Sequence, residues 1–247
     1  MKSQILGVLN AHKTPNLFQG LQGLELEGQK CQGVGMATLM DGRIQQLQTE
    51  GDLSDIQKLQ EKQPLEGRFG IAFTHQMEQE PEPEPEPEPK PYQTRLDANQ
   101  NMVFVHHGLI ENSYEIKNEL FDLGYEFSLE TDNQIILYMM NRYLDIGLAP
   151  DEAMKVCMMR LEGEFAIIGL FTHPEELLIV ARRRLPLAIG VADNVFYVSS
   201  NAKALNLISS QVMQIDAGEP VVLSSLKTLT DDSYFNYPSY PPHLLDA

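Results

Sequence analysis

The chain contains little cysteine, only two residues in 247. Two cysteines cannot build the disulfide framework that stabilises many extracellular domains, so the sequence predicts a protein of a reducing compartment, the cytoplasm. Cys31 and Cys157 also lack the spacing of metal ligands, and the six histidines form no HxH or HxxxH cluster. We therefore expect neither a metal site nor a cofactor.

Basic residues are scarce as well. The 18 lysines and arginines face 35 acidic residues, which gives a formal net charge of -17. Such a charge repels phosphate backbones and disfavours nucleic-acid binding. The one local basic cluster, Arg182 to Arg184, is predicted to be a solvated loop or a contact with a protein partner.

Long hydrophobic runs are absent too. No segment approaches the roughly 18 apolar residues of a membrane-spanning helix. The apolar run near the N-terminus, Ile5 to Leu9, is too short for a signal peptide. The sequence thus predicts no membrane association.

Apolar residues make up 43% of the chain, enough for one large core in a single domain at residues 1–226. Turn pairs at Asp41-Gly42 and Asp193-Asn194 predict hairpins, hence antiparallel sheets broken by helices, an α+β class. Strands are predicted at 4–9, 33–39, 43–50, 69–74, 102–106, 164–171, 177–182, 187–191, 195–199 and 220–224. Helices are predicted near 15–26, 52–60, 113–123, 132–146, 150–161 and 200–208.

The stretch from Met102 to Asp132 carries the strongest local signals. A short β-branched and aromatic strand runs into Gly108, a residue that permits positive φ or a close approach of the backbone to a ligand. Asn112 and Glu115 have the spacing of a reciprocal helix cap, and Asp132 begins a further helix. Gly108 and Asp132 are therefore candidate ligand contacts; ordinary turn and capping roles are the alternative.

Several motifs in this chain resemble those of the class II glutamine amidotransferases, the N-terminal-nucleophile glutaminases. His106 to Asn112 (HHGLIEN) resembles their His-Asn-Gly-x-x-x-Asn motif, and Glu130 to Asp132 resembles their Ser/Glu-x-Asp-Thr-Glu motif. Further segments resemble those of amidophosphoribosyltransferase and glucosamine-6-phosphate synthase in the same order along the chain. They are residues 20–35, 70–74, 161–166, 184–190, 199–205 and 216–219.

The resemblance implies a fold and a set of site positions. The fold is a four-layer α/β/β/α sandwich with two stacked antiparallel sheets. The nucleophile position falls at Ser3, the carboxylate-binding arginine at His75, and the oxyanion asparagine at His107. Gly108 retains the backbone N–H that faces an oxyanion, and Asp132 retains the carboxylate that holds a substrate ammonium.

The departures from the family pattern predict that the reaction is lost. The family's chemistry uses a first-residue cysteine whose own α-amino group is the base. Here Met1 and Lys2 precede Ser3, and a serine hydroxyl without an adjacent base is a poor nucleophile. The loss of one oxyanion donor costs about two to three orders of magnitude in rate. Cys31 has no recognisable His and acid beside it, and Cys157 lies on an apolar helix stripe, so neither is expected to replace the nucleophile.

A Glu-Pro repeat at residues 80–91 is inserted in the interval that lines the family's substrate pocket. Alternating proline and glutamate predict a stiff, extended spacer of about 3 Å per residue. Two interpretations remain for it: an inert solvated insertion, or an arm that docks on a basic partner. The segment 227–247 is a Tyr/Pro-rich tail that either docks on a partner or packs back on the domain.

The sequence therefore predicts a catalytically inactive, glutaminase-like protein with a binding, regulatory or scaffold role. Its expected partners are an unidentified protein and a small glutamine-like amino acid held by Asp132, His75 and Gly108. The alternative is an amidotransferase subunit that supplies ammonia from glutamine to a separate synthase.

Overall fold

The structure is a computed structural model, which describes residues 2–10, 17–24, 31, 33–76, 95–127, 131–193 and 195–224. The Glu-Pro repeat and the tail at 227–247 lie outside these residues, so the interpretations of both segments stay predictions.

The described strands form two antiparallel sheets. They are β1 (Lys2–Asn10), β2 (Gly33–Met40), β3 (Arg43–Thr49), β4 (Phe69–Gln76), β5 (Asp97–Ala98), β6 (Met102–Ile110), β7 (Gly163–Phe171), β8 (Leu177–Arg183), β9 (Ala188–Ala192), β10 (Val195–Ser199), β11 (Val212–Gln214) and β12 (Val221–Ser224). The larger sheet has the order β11-β9-β10-β1-β4-β2-β3, and the smaller has the order β12-β8-β7-β6-β5. All the strand pairs are antiparallel, as the hairpin signals predict.

Six helices cover the outer faces of the two sheets in the described part of the chain. They are α1 (Leu17–Leu24), α2 (Leu53–Lys62), α3 (Ser113–Asp122), α4 (Asp132–Asp145), α5 (Pro150–Arg160) and α6 (Ala202–Ile208). Three apolar clusters separate the layers. One lies between the smaller sheet and α3 to α5, one between the two sheets, and one between the larger sheet and α1, α2 and α6. The predicted four-layer α/β/β/α sandwich is confirmed.

The two-residue strand β5 and the three-residue β11 were not predicted. Both are too short for a period-2 pattern to stand out from the neighbouring loops. The Asp41-Gly42 hairpin is present with positive φ at both residues, 51° and 70°, which is the geometry that favours Asp-Gly. Asp193 likewise has a φ of 51° between the paired strands β9 and β10.

Strand β6 is longer than predicted. It runs through Gly108 and ends at Ile110, so the predicted strand end at residue 106 is four residues too early. Gly108 stays in register opposite Phe165 of β7 while its φ is +107°. The strand continues because β7 offers partners to every residue from Met102 to Ile110.

The two sheets are tied together at one end by Glu176, which immediately precedes β8. Its carboxylate accepts a hydrogen bond from the Gly42 amide at 2.7 Å and pairs with the Arg68 guanidinium at 3.0 Å. Gly42 and Arg68 belong to the larger sheet's end, near Asn10, whose amide bonds the Arg68 carbonyl. We call this the Glu176 tie, and the opposite end of the sandwich carries the candidate site.

Candidate functional site

The side chain of Ser3 points into the layer between the two sheets. Alternate residues of β1, Ile5 and Leu9, belong to the apolar cluster shared by the two sheets, whereas Leu6 and Val8 face the helices. Because successive side chains on a strand point to opposite faces, Ser3 faces the same side as Ile5 and Leu9, toward the other sheet. On the neighbouring strand β4 the same alternation leads to His75.

Ser3 and His75 form a buried hydrogen bond. They are opposite each other in the β1–β4 register, and Ser3 Oγ lies 2.9 Å from His75 Nδ1. Ser3 is 7% exposed and His75 only 3%. Burial lowers the pKa of His75, so its ring is neutral at pH 7 and can act as a base. The prediction that Ser3 has no adjacent base is therefore wrong.

His106 and His107 face opposite sides of the smaller sheet, as adjacent strand residues should. Val103 and Val105 belong to the inter-sheet cluster, and the alternation places His107 in that same layer. Burial, and then the charge of His106, lower the pKa of His107 to about 4. Its Nδ1 atom is buried and has no hydrogen-bond partner among the described residues. His107 is thus a neutral imidazole at pH 7.

The Ser3–His75 pair and His107 lie at the same end of the sandwich. Asn10 of β1 and Met102 of β6 lie near the Glu176 tie. Ser3 and His107 lie toward the other ends of these two strands, and His75 is paired with Ser3. Aligned sheets stack about 10 Å apart, so side chains from the two inner faces share one layer. Ser3, His75 and His107 therefore lie at the same end of the layer between the sheets. The family resemblance had assigned all three to one site.

The backbone at Gly108 has a conformation that only glycine supports well. A Cβ at this position would come within 2.1 Å of the Glu164 carbonyl oxygen and within 2.5 Å of Leu185 Cδ1. Together with the φ of +107°, this close approach explains why glycine follows His107 in the strand.

Asp132 lies on the helix side of the smaller sheet and is fully buried. Its Oδ2 atom accepts a hydrogen bond from the Ile110 amide at 3.4 Å and is 3.5 Å from His106 Nε2. Its Oδ1 atom has no partner among the described residues. Asp132 is the first residue of α4, and the cap is Thr131, whose hydroxyl accepts from the Gln134 amide. The alternative that Asp132 is only a helix cap is wrong.

Asn133 fixes the orientation of the His106 ring. Its side-chain amide donates to the Arg95 carbonyl, so its Oδ1 faces His106 Nδ1 at 3.0 Å and must accept the proton of that nitrogen. A proton on His106 Nδ1 leaves Nε2 directed at Asp132.

Asp97 extends this buried polar group toward the edge of the sheet. The Thr131 hydroxyl donates to its Oδ2 atom at 2.7 Å, and Arg95 Nε lies 3.8 Å from its Oδ1 atom. Burial raises the pKa of Asp97, while the Thr131 hydrogen bond and then the Arg95 charge oppose the rise. Sequence reasoning missed Asp97, Asn133 and His106 because nothing in their spacing shows that β5, β6 and α4 converge.

The predicted reciprocal cap at Asn112 and Glu115 is absent. The Asn112 side chain makes no cap hydrogen bond to α3. It donates instead to the Arg160 carbonyl at 2.8 Å and accepts from the Glu162 amide at 2.9 Å. These longer-range bonds fasten the segment after β6 to the connection between α5 and β7.

The prediction that Arg182 to Arg184 form a solvated loop or partner contact fails for two of the three. Arg182 donates to the carbonyls of Ile215 and Leu185, and Arg183 donates to the Met158 carbonyl at 2.6 Å. Both lie on β8. Arg182 binds carbonyls in the connections after β8 and after β11, and Arg183 binds a carbonyl in the last turn of α5. Arg184 is exposed beside Glu164, 3.8 Å away.

The two cysteines are buried in apolar clusters on the helix sides of the two sheets. Burial raises the pKa of the Cys157 thiol, which suits core packing rather than nucleophilic chemistry. Within the described ranges, no group of three or more His, Cys, Asp or Glu side chains could hold a metal ion. No helix in the part of the chain that the structure covers is long and apolar enough to cross a membrane.

Proteins similar to this chain are glutamine-dependent enzymes or share its fold. The glutamine--fructose-6-phosphate aminotransferase [isomerizing] of Bartonella henselae is 34% identical over 221 residues, which are 89% of this chain and 35% of that protein. The chain thus spans about a third of the length of this curated relative.

Two solved structures share the fold. Glutamine phosphoribosylpyrophosphate amidotransferase from B. subtilis superposes with a TM-score of 0.70 at 19% identity, over 89% of this chain and 46% of that chain. A structure described as the allosteric regulatory enzyme of purine biosynthesis gives a TM-score of 0.71 at 20% identity with the same coverage. The family described as "Glutamine amidotransferase domain" matches residues 84–207, half of the chain. This chain therefore belongs to the glutamine amidotransferase domain family.

Proposed function

We propose that this chain is a glutaminase-like domain that does not release ammonia from glutamine and serves as a binding or regulatory protein. The observation that carries the proposal is the position of Ser3 inside β1. Lys2 precedes it and pairs with Gln76 of β4, so the nitrogen of Ser3 is a peptide nitrogen rather than a free amine. The family resemblance assigns the role of base to that free amine.

The two histidines at substrate-contact positions support the same conclusion. A neutral imidazole at His75 cannot form the two-pronged ion pair with a carboxylate that a guanidinium forms. At His107 a partly buried ring stands in place of the asparagine that donates to an oxyanion. Each change raises the barrier to amide hydrolysis separately.

A glutaminase assay tests this proposal. We expect purified protein to release no glutamate from glutamine above a buffer control, and Ser3→Ala to give the same result. Glutamate release that Ser3→Ala abolishes would establish the second candidate, an amidotransferase subunit that feeds a separate synthase. That candidate is favoured by the named activity of the Bartonella henselae relative. It is also favoured by the Oδ1 atom of Asp132, which has no hydrogen-bond partner among the described residues.

The retained carboxylate supports a ligand of defined chemistry. A fully buried Asp132 oxygen without a partner among the described residues is costly unless a cation or a hydrogen-bond donor reaches it. The ammonium of a small amino acid fits this requirement, with Gly108 of β6 as a further contact. His75, the third predicted contact, faces the layer between the two sheets, on the opposite side of the smaller sheet from Asp132.

A thermal-shift titration with glutamine and glutamate tests the ligand. We expect Tm to rise with the wild-type protein and to stay constant with Asp132→Asn, which keeps the shape of the side chain but removes its charge. A tenfold rise in ligand concentration above Kd adds about 1.4 kcal/mol of stability. An equal shift in both proteins, or none in either, removes the ligand from the proposal.

We also propose a protein partner and a cytoplasmic location. The net charge of -17 favours a partner with a basic surface. Two cysteines without a disulfide framework suit a reducing compartment. Affinity capture with the purified full chain is the measurement that addresses the partner.

A further inference from the structure

We propose that Ser3 and His75 form a nucleophile–base pair that accepts acyl groups from small activated esters. This site does not use the α-amino group on which N-terminal-nucleophile chemistry depends. Its acceptor atom is the Ser3 hydroxyl oxygen, and its substrate class is a short acyl group carried on a good leaving group.

The geometry matches what nucleophilic catalysis requires. The 2.9 Å separation of Ser3 Oγ and His75 Nδ1 is within the range at which a histidine removes a serine proton. The β1–β4 register fixes both backbones, because Ser3 and His75 are directly opposed and Lys2 and Gln76 continue the pairing beyond them. The pair is therefore held by the sheet rather than by a loop.

The state of the imidazole also suits a base. Burial lowers the pKa of His75, which keeps the ring unprotonated at neutral pH. Its Nε2 atom has no hydrogen-bond partner among the described residues, so no carboxylate from that part of the chain completes a triad on that side. We therefore expect acylation to be slower than with a complete Ser-His-Asp arrangement.

The chemical step is an ordinary acyl transfer. A bond forms between Ser3 Oγ and the carbonyl carbon of the ester, and the bond from that carbon to the leaving oxygen breaks. The hydroxyl proton moves to His75 Nδ1 and then to solvent, while the leaving group departs with the electron pair. Ser3 is left as an ester.

The burial of the pair selects the substrate. Ser3 is only 7% exposed, which admits a small acyl group more readily than a bulky one. An activated ester loses its leaving group far more easily than an amide does. Acylation at Ser3 is for that reason compatible with the absence of glutamine hydrolysis, and the two proposals can succeed or fail independently.

The test is a reaction of the full chain with p-nitrophenyl acetate. We expect a burst of p-nitrophenol that approaches one equivalent per chain, and peptide mapping should locate the acetyl group on Ser3. Hydroxylamine should remove it, since it cleaves an ester but leaves an amide on the adjacent Lys2 intact. His75→Gln should lower the acylation rate about 100-fold or more.

Matched variants make the result decisive. Ser54→Ala is the control, because Ser54 is an exposed serine whose hydroxyl bonds the Asp52 carboxylate rather than an imidazole. Ser3→Cys keeps a nucleophile if Ser3→Ala fails to fold, and it should still be acylated. The proposal is overturned if the wild type shows no acetyl-Ser3, if Ser3→Ala keeps the burst, or if folded His75→Gln reacts at the wild-type rate.

Discussion

Replacement of Gly108 by alanine is expected to lower the free energy of unfolding by about 4 kcal/mol or more. The added Cβ would lie 2.1 Å from a backbone carbonyl oxygen, that of Glu164 on the paired strand β7. A backbone atom cannot rotate away as the end of a flexible side chain can, so the two strands must separate. The φ of +107° adds strain for any residue with a side chain.

Gly124→Ala is the matched control. Gly124 has a φ of +91°, and a Cβ added to it would meet no described atom within 4 Å, so its substitution isolates the cost of the backbone conformation. We expect that cost to be about 1–2 kcal/mol. Urea denaturation of the two variants at 25 °C measures the difference. Equal losses of unfolding free energy in the two variants would contradict this prediction. They would show that the strands accommodate the Cβ beside Glu164 at no cost, and that only the positive φ requires glycine at position 108.

The second large effect is a loss of stability on mild acidification. Folding lowers the pKa of His107 from its ordinary 6.5 to about 4, so between these values the unfolded chain binds more protons than the folded chain. Stability therefore falls as the pH drops below 6.5, and the full penalty is reached below about pH 4. Between pH 7 and pH 5 this histidine alone should remove about 2 kcal/mol. His75, whose pKa burial also lowers, acts in the same direction.

His107→Asn tests this assignment because asparagine does not titrate and is the residue that the family pattern places there. Urea denaturation at pH 7 and pH 5 should show a difference about 2 kcal/mol smaller for His107→Asn than for the wild type. Leu207→Ala changes an exposed side chain that does not titrate and should leave the difference unchanged. If His107→Asn retains the wild-type difference, His107 is not the residue responsible.

The sequence predicted the layers of this fold better than it predicted the contacts of the site. Hairpin pairs and the order of the family motifs were sufficient for the sandwich, because short-range turn chemistry and collinearity are both visible in one dimension. The Ser3–His75 bond joins residues 72 positions apart and depends on the β1–β4 register. No local pattern specifies a pairing of that range.

Helix-capping patterns also gave the wrong contacts in the segments flanking the site, because residues distant in sequence bind the side chains instead. Asn112 has the right spacing to cap α3, yet its side chain is drawn to the backbone at Arg160 and Glu162, which only the folded chain brings near. Asp132 stands where a cap is common, but Thr131 takes that role and frees the carboxylate for the Ile110 amide. At both positions the contacts are set by tertiary structure.

The Glu176 tie has a consequence for substitutions at the candidate site. It joins the sheets at one end through Arg68 and Gly42, and the apolar inter-sheet cluster holds them along their length. The alignment of the sheets is thus supported at the end opposite the candidate site and along the layer between them. A substitution at the candidate site that fits its local backbone, unlike one at Gly108, therefore leaves these two connections between the sheets in place.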